Sequence, residues 1–176
     1  MKLYVTRHGE TSYNVENRIC GVSDILLNKT GKEQAQKIGE KLLDKKIDVI
    51  ISSPLQRAQE TAKIISQKIK APIEIDERIH EINFGVFEGM PGKNEDFRYV
   101  KKNHAISYPQ GEKLFQVVQR VYNFLDEIHQ RYQDQTVLVV CHGGIVRIIH
   151  SYYHDMSNEE LFTWLPENCC FQEYEK

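Results

Sequence analysis

Lys2-Leu-Tyr-Val-Thr-Arg-His-Gly-Glu-Thr11 begins as an apolar run, stops at a glycine, and reads as a buried strand. In α/β folds ligands bind where strands end. At this end an imidazole, His8, sits beside a permanent cation, Arg7. A second run, Thr136-Val-Leu-Val-Val-Cys141, is continuous and β-branched, as a strand covered on both faces should be. It too breaks at a histidine and glycines, His142-Gly143-Gly144.

Between and beyond these two runs the elements alternate. Thr30-Gly-Lys-Glu33 has the form of a capping box, and Ala35, Ile38, Leu42 and Leu43 give the helix after it one apolar stripe. Ile47 to Ser52 reads as a strand. Ser53-Pro-Leu-Gln56 then offers an N-cap and a first-turn proline for a helix expected to run to about Lys70. Ile73 to Ile75 is a short strand, 76–93 is loop-like and 94–104 is a helix. Leu114, Val117, Val121, Phe124 and Ile128 keep a three-four spacing on a helix from about Glu112 to Arg131. Ile145 to about Tyr153 is a further helix, and Cys169 to Tyr174 an edge strand. The alternation predicts an α/β fold, three-layer α/β/α with a mostly parallel central sheet. A chain of 176 residues fits a single domain over 1–176.

Composition narrows the classes of function. A formal charge of −2 argues against a nucleic-acid partner, which calls for a basic excess or stripe. No apolar run approaches a membrane span, and the N-terminal residues lack a secretory profile. Cys20, Cys141, Cys169 and Cys170 show neither CxxC spacing nor a disulfide framework, which suits a reducing, cytoplasmic setting. The sequence leaves the oligomeric state open.

In a parallel sheet the ends of the strands at 2–7, 47–52 and 136–141 share one edge. Arg7, His8, Arg57 and His142 can therefore converge. Two guanidinium groups and two imidazoles around one point make an anion site, since the planar guanidinium meets a tetrahedral oxyanion bidentately. Backbone N–H groups at the helix start near Arg57 add to the same field. The anion this chemistry favours is phosphate.

Arg7-His8-Gly9-Glu10-Thr11 with Asn14 resembles the opening motif of the histidine phosphatase superfamily, also called the phosphoglycerate mutase-like family. The likeness continues through Arg18, Gly21, Asp24, Leu27 and Gly31, then Ser52-Ser-Pro-Leu-Gln-Arg-Ala-Gln-Glu-Thr-Ala62. Glu81-Ile-Asn-Phe-Gly-Val-Phe-Glu-Gly89, Pro109-Gln-Gly-Glu112 and Val139-Val-Cys-His-Gly-Gly144 complete it, in the family's order over nearly the whole chain. The resemblance implies a phosphoglycerate mutase-like fold, no metal and no other cofactor. It implies that His8 attacks phosphorus and carries the phosphoryl group, and that Arg7, Arg57 and His142 hold its oxygens. Asn14 is a further phosphate-binding candidate, and His142 is expected to be protonated against the phosphoryl oxygens.

Attack requires a neutral His8, which the neighbouring Arg7 and Arg57 favour by like-charge repulsion. A general acid must then protonate the leaving oxygen. Asp76, Glu77, Glu81 and Glu88 crowd the segment that supplies it, and spacing alone does not choose among them. The family pattern, with the acid three residues before Phe84-Gly85, selects Glu81. Glu10 and Glu88 are read as structural carboxylates.

Other residues take plainer readings. His150 and His154 have a metal-ligand spacing on a helix but no local third ligand, and read as a helix face. Cys141 reads as a small core residue, since neighbours on a strand face opposite ways. Cys169 and Cys170 read as packing. His80, His104 and His129 read as surface or loop, and the Lys41, Lys45, Lys46 and Lys101, Lys102 patches as solvated.

The expected function is metal-independent hydrolysis of a small-molecule phosphate ester, with catalytic His8, Glu81 and His142. A mutase needs a substantial lid and tail to exclude water, but only about twenty residues separate Gly89 from Pro109 and the tail after His142 is short. The paired arginines of the mutase subgroup are also missing after the acid. A non-catalytic member of the fold is disfavoured because every catalytic position is filled. The segment from Met90 to Tyr108, with Phe97, Arg98, Tyr99, Lys101 and Lys102, is expected to overhang the site and set specificity.

Overall fold

The computed structural model describes residues 1–175. Its strands β1 (Lys2–Arg7), β2 (Val49–Ser52), β3 (Ile73–Ile75), β4 (Thr136–Cys141) and β5 (Phe171–Glu175) form a sheet in the order β3-β2-β4-β1-β5. β1, β2 and β3 run parallel to the central β4, while β5 pairs antiparallel with β1 at one edge. The helices are α1 (Ser12–Val15), α2 (Lys29–Lys41), α3 (Gln56–Ile69), α4 (Glu95–Lys102), α5 (Leu114–Arg131), α6 (Gly143–Tyr153) and α7 (Asn158–Thr163).

Strand alternation sorts the core into two layers. Leu3 and Val5 of β1, with Val137, Val139 and Cys141 of β4, pack against Val117, Val121 and Phe124 of α5 and Ile145 and Ile149 of α6. Tyr4, Ile50, Leu138 and Val140 point the other way, onto Ile38 of α2 and Ala58, Ala62 and Ile65 of α3. The three-layer α/β/α arrangement follows, with Cys141 in the core as expected. No helix among the described residues is long and apolar enough to cross a membrane.

Where local chemistry competes with longer-range partners, the structure departs from the sequence reading. Asn28 caps α2 by accepting from the Gly31 N–H at 2.8 Å, two residues ahead of the Thr30 capping box. Leu43 leaves the apolar stripe and lies exposed in a 3-10 turn over Leu43–Lys45. Ser53 does not cap α3; Asp24, from a distant loop, accepts from the Gln56 N–H at 2.8 Å. The short α1 and α7 went unforeseen, each too brief to carry an apolar period.

Candidate active site

The parallel register places the ends of β1 and β4 side by side, with Arg7 opposite Cys141 and the His8 N–H donating to the Cys141 carbonyl at 2.9 Å. Strand parity then sends Arg7 and His8 in different directions. His8 turns toward α3, where Arg57 rises from the first turn. Arg7 turns toward α6 and the loop before β5, where its Nη1 donates to the Pro166 carbonyl at 3.1 Å. His142 follows β4, and its ring centroid lies 5.2 Å from that of His8. The four expected residues do converge.

The partners of His8 fix its tautomer. Nδ1 lies 2.7 Å from the Gly9 carbonyl, which can only accept. Nε2 receives the Arg57 Nε–H at 3.2 Å, and a guanidinium can only donate. The proton is therefore on Nδ1 and the lone pair on Nε2. Burial, then the charges of Arg57 and Arg7, holds this imidazole well below the ordinary histidine value.

Arg57 is fully buried, and its other two nitrogens donate to the Ser23 carbonyl at 2.8 Å and the Gly21 carbonyl at 2.6 Å. Glu88 holds that loop by accepting from the N–H groups of Gly21, Val22 and Ser23 and from the Ser23 hydroxyl. The structural role expected of Glu88 is thus specific: it pins the loop that aims Arg57. Glu10 accepts from the Asn28 side chain at 2.8 Å.

Burial, then the charges of Arg57, His8 and Arg7, pushes His142 well below the ordinary histidine value, so by itself the protein favours the neutral ring. Its Nε2 lies 2.6 Å from the Ser53 hydroxyl, whose oxygen also accepts from the Leu55 N–H. The Nδ1 of His142 and the Nε of Arg7 are buried without a hydrogen-bond partner. Buried polar groups without partners are costly, and the Arg7 Nε–H, a donor only, marks a place for an anion next to the cleft floor.

Glu81 is 6 % exposed and sits at the N-terminus of α6, its oxygens accepting from the Ile82 N–H at 2.9 Å and the Gly144 N–H at 3.0 Å. The absent side chain of Gly144 permits this, since a Cβ there would come within 2.5 Å of Glu81 Oε1. The loop bearing Glu81 is held from behind by Arg120 of α5. Arg120 donates to the carbonyls of Arg78 and His80 and pairs with Glu112, which also accepts from the Asn83 N–H. Asn14 lines the cleft with its carbonyl oxygen occupied by the Thr11 N–H and hydroxyl, which leaves the amide nitrogen to donate.

The segment 90–108 does overhang the cleft: Phe97, Val100, Lys101, His104, Ile106 and Tyr108 all line it. Lys101 is consequently not a solvated surface lysine, and His104 is a cleft residue. His80 belongs to the Arg120 network, and His129 packs beside Tyr153 with Nε2 3.1 Å from its hydroxyl. The His150 and His154 rings lie 4.5 Å apart and tilted, while His150 stacks on Trp164 and meets the Tyr174 hydroxyl at 3.0 Å. No group of three metal-ligating side chains able to hold an ion occurs among the described residues. Sequence reasoning missed Ser53, Arg120 and Arg147; the signal for Arg147 was a cation in the apolar run Ile145-Val-Arg-Ile-Ile149.

A mostly parallel sheet whose strand ends gather a buried neutral histidine, two arginines, a second histidine and a carboxylate defines a class of α/β proteins with an anion-binding cleft. The sequence profile of the histidine phosphatase superfamily (branch 1) matches residues 3–175, and the chain belongs to that superfamily. It is 35% identical over 173 residues to the uncharacterized phosphatase PhoE of Bacillus subtilis, covering 97% of this chain and 86% of that protein. It is 37% identical over 157 residues to phosphoserine phosphatase 1 of Hydrogenobacter thermophilus, covering 85% and 74% respectively. Among solved structures, YhfR of Bacillus stearothermophilus superposes with a TM-score of 0.85 at 32% identity, covering 99% of this chain and 90% of that one.

Proposed function

We propose that this chain is a phosphatase that hydrolyses small phosphate monoesters through a phosphohistidine on His8, without a metal ion. The observation that carries this reading is the fixed tautomer of His8, with Nδ1–H held by Gly9 and the Nε2 lone pair among buried cations. The names of its relatives as phosphatases agree with it.

In the first step Nε2 bonds to phosphorus as the P–O bond to the alcohol breaks, and Glu81 gives the departing oxygen its proton. In the second, Glu81 takes a proton from water, the hydroxide bonds to phosphorus, and the P–N bond breaks to release phosphate and neutral His8. Arg7, Arg57, His142 and Asn14 donate to the equatorial oxygens as charge spreads over them. Guanidinium and imidazole donors then supply the stabilisation that a divalent cation gives in other phosphoryl-transfer sites.

Incubation with an aryl phosphate in EDTA should release phosphate and, on acid-free quenching, leave an acid-labile, base-stable phosphoenzyme. His8→Ala should lose that label. Labelling that persists in the variant, or activity that depends wholly on added metal, would refute the mechanism.

A further inference from the structure

Beyond the phosphoryl pocket the cleft opens into a chamber that this chemistry leaves unused. The cleft holds a cavity of about 140 Å³ that is open to solvent at its mouth. Phe84, Phe97, Ile106, Leu161 and Leu165 give the chamber an apolar wall. Set into it are two cations from separate elements, Lys101 of α4 and Arg147 of α6.

Neither cation has a carboxylate partner in a salt bridge among the described residues. Glu81 is the carboxylate lining the cleft, and backbone N–H groups occupy both its oxygens. Arg147 is itself fixed, its Nε donating to the Trp164 carbonyl at 2.6 Å, and Lys101 Nζ lies 4.7 Å from the Phe162 ring centroid. Two unneutralised cations held together in a half-buried apolar setting destabilise the chain, so a functional reason is needed. Burial, and then repulsion from Arg147, brings the Lys101 ammonium down to about 8. Arg98 repels it further and Glu81 opposes both, while His104 and Tyr108 line the same space.

We infer that Lys101 and Arg147 form a second anion subsite, and that the preferred substrate is a phosphate monoester whose apolar body carries a carboxylate. The inference rests on the phosphatase reading for the position of the phosphate. The apolar wall sets the body, and the cation pair sets its charged end. With Glu81 nearby, a singly charged carboxylate suits the subsite better than a second phosphate dianion.

The test compares 3-(4-phosphooxyphenyl)propanoate with 4-ethylphenyl phosphate, which share the phosphate and aryl body and differ in the carboxylate. Calorimetric dissociation constants on His8→Gln read the subsite whether or not either ester is turned over. The propanoate should bind about tenfold tighter, equivalent to about 1.4 kcal/mol. Lys101→Met in the same background should lower the ratio severalfold, leaving what Arg147 alone supplies, and Lys101→Arg should restore it. With Lys101 present the preference should decline as pH rises through about 8, and with arginine there it should persist. Equal affinities at pH 7, a preference undiminished by Lys101→Met, or one that ignores pH in the lysine form would each overturn the subsite. Failure of the unsubstituted chain to hydrolyse 4-ethylphenyl phosphate would instead refute the phosphatase reading, and the binding ratio would still decide the subsite.

Discussion

Acid should destabilise this protein through the two histidines that its fold keeps neutral. Burial and the charges of Arg57 and Arg7 hold both His8 and His142 well below the ordinary histidine value. In the unfolded chain both rings take up protons near pH 6.5. The unfolded state therefore binds more protons as pH falls, so stability is complete above about pH 6.5 and is lost on acidification below it. For a ring that stays neutral in the folded chain, the linkage integral from pH 7 to pH 5 is about 2 kcal/mol, and about 4 kcal/mol for the pair. That is a large part of the stability of an ordinary domain. Asp76 acts with the same sign, because hydrogen bonds from Arg78 outweigh its burial and hold its carboxyl low. The decisive comparison is therefore with a variant. Urea unfolding in phosphate-free buffer should show His8→Gln and His142→Asn each losing about 2 kcal/mol of the pH dependence between 7 and 5. Equal losses of stability in the unsubstituted chain and both variants would refute the assignment of buried neutral rings.

Two further outcomes follow from the support around Glu81. Glu81→Gln should lower kcat on alkyl phosphates by about 10²–10⁴-fold and on aryl phosphates with good leaving groups far less, and equal losses in steady-state assays would remove the general acid. Arg120→Met leaves the Arg78 and His80 carbonyls and Glu112 without their partner, so chemical denaturation should show a loss of about 1–3 kcal/mol. Its kcat on an alkyl ester should fall with KM nearly unchanged, and a KM effect alone would place the Arg120 network outside the positioning of the acid.

The strands were legible because they carry their own signal. An apolar run and a continuous β-branched run, each ending in histidine and glycine, located β1 and β4, and strand parity placed Cys141 in the core. The convergence of Arg7, His8, Arg57 and His142 followed from the parallel sheet alone. The choice of Glu81 did not; it needed the family pattern, because its partner Gly144 lies 63 residues away. The expectations that failed share a cause. Ser53 and Thr30 were judged by local capping rules, yet Ser53 meets His142 and Asn28 caps α2. Lys101 was judged by its neighbour Lys102, yet α4 folds over the cleft and tucks it beside Arg147.

The hydrogen bond from Arg57 to His8 has a chemical consequence for the idle protein. The lone pair to which we assign the attack is already engaged, and the guanidinium engaging it is tethered through Gly21 and Ser23 to a loop clasped by Glu88. A stray alkylating agent or a metal cation meets a nitrogen whose electrons face another group. An oxyanion arriving in the pocket offers Arg57 a stronger acceptor and so uncovers the nitrogen as it docks. On the proposed mechanism, the reagent that unlocks this nitrogen is the one it attacks.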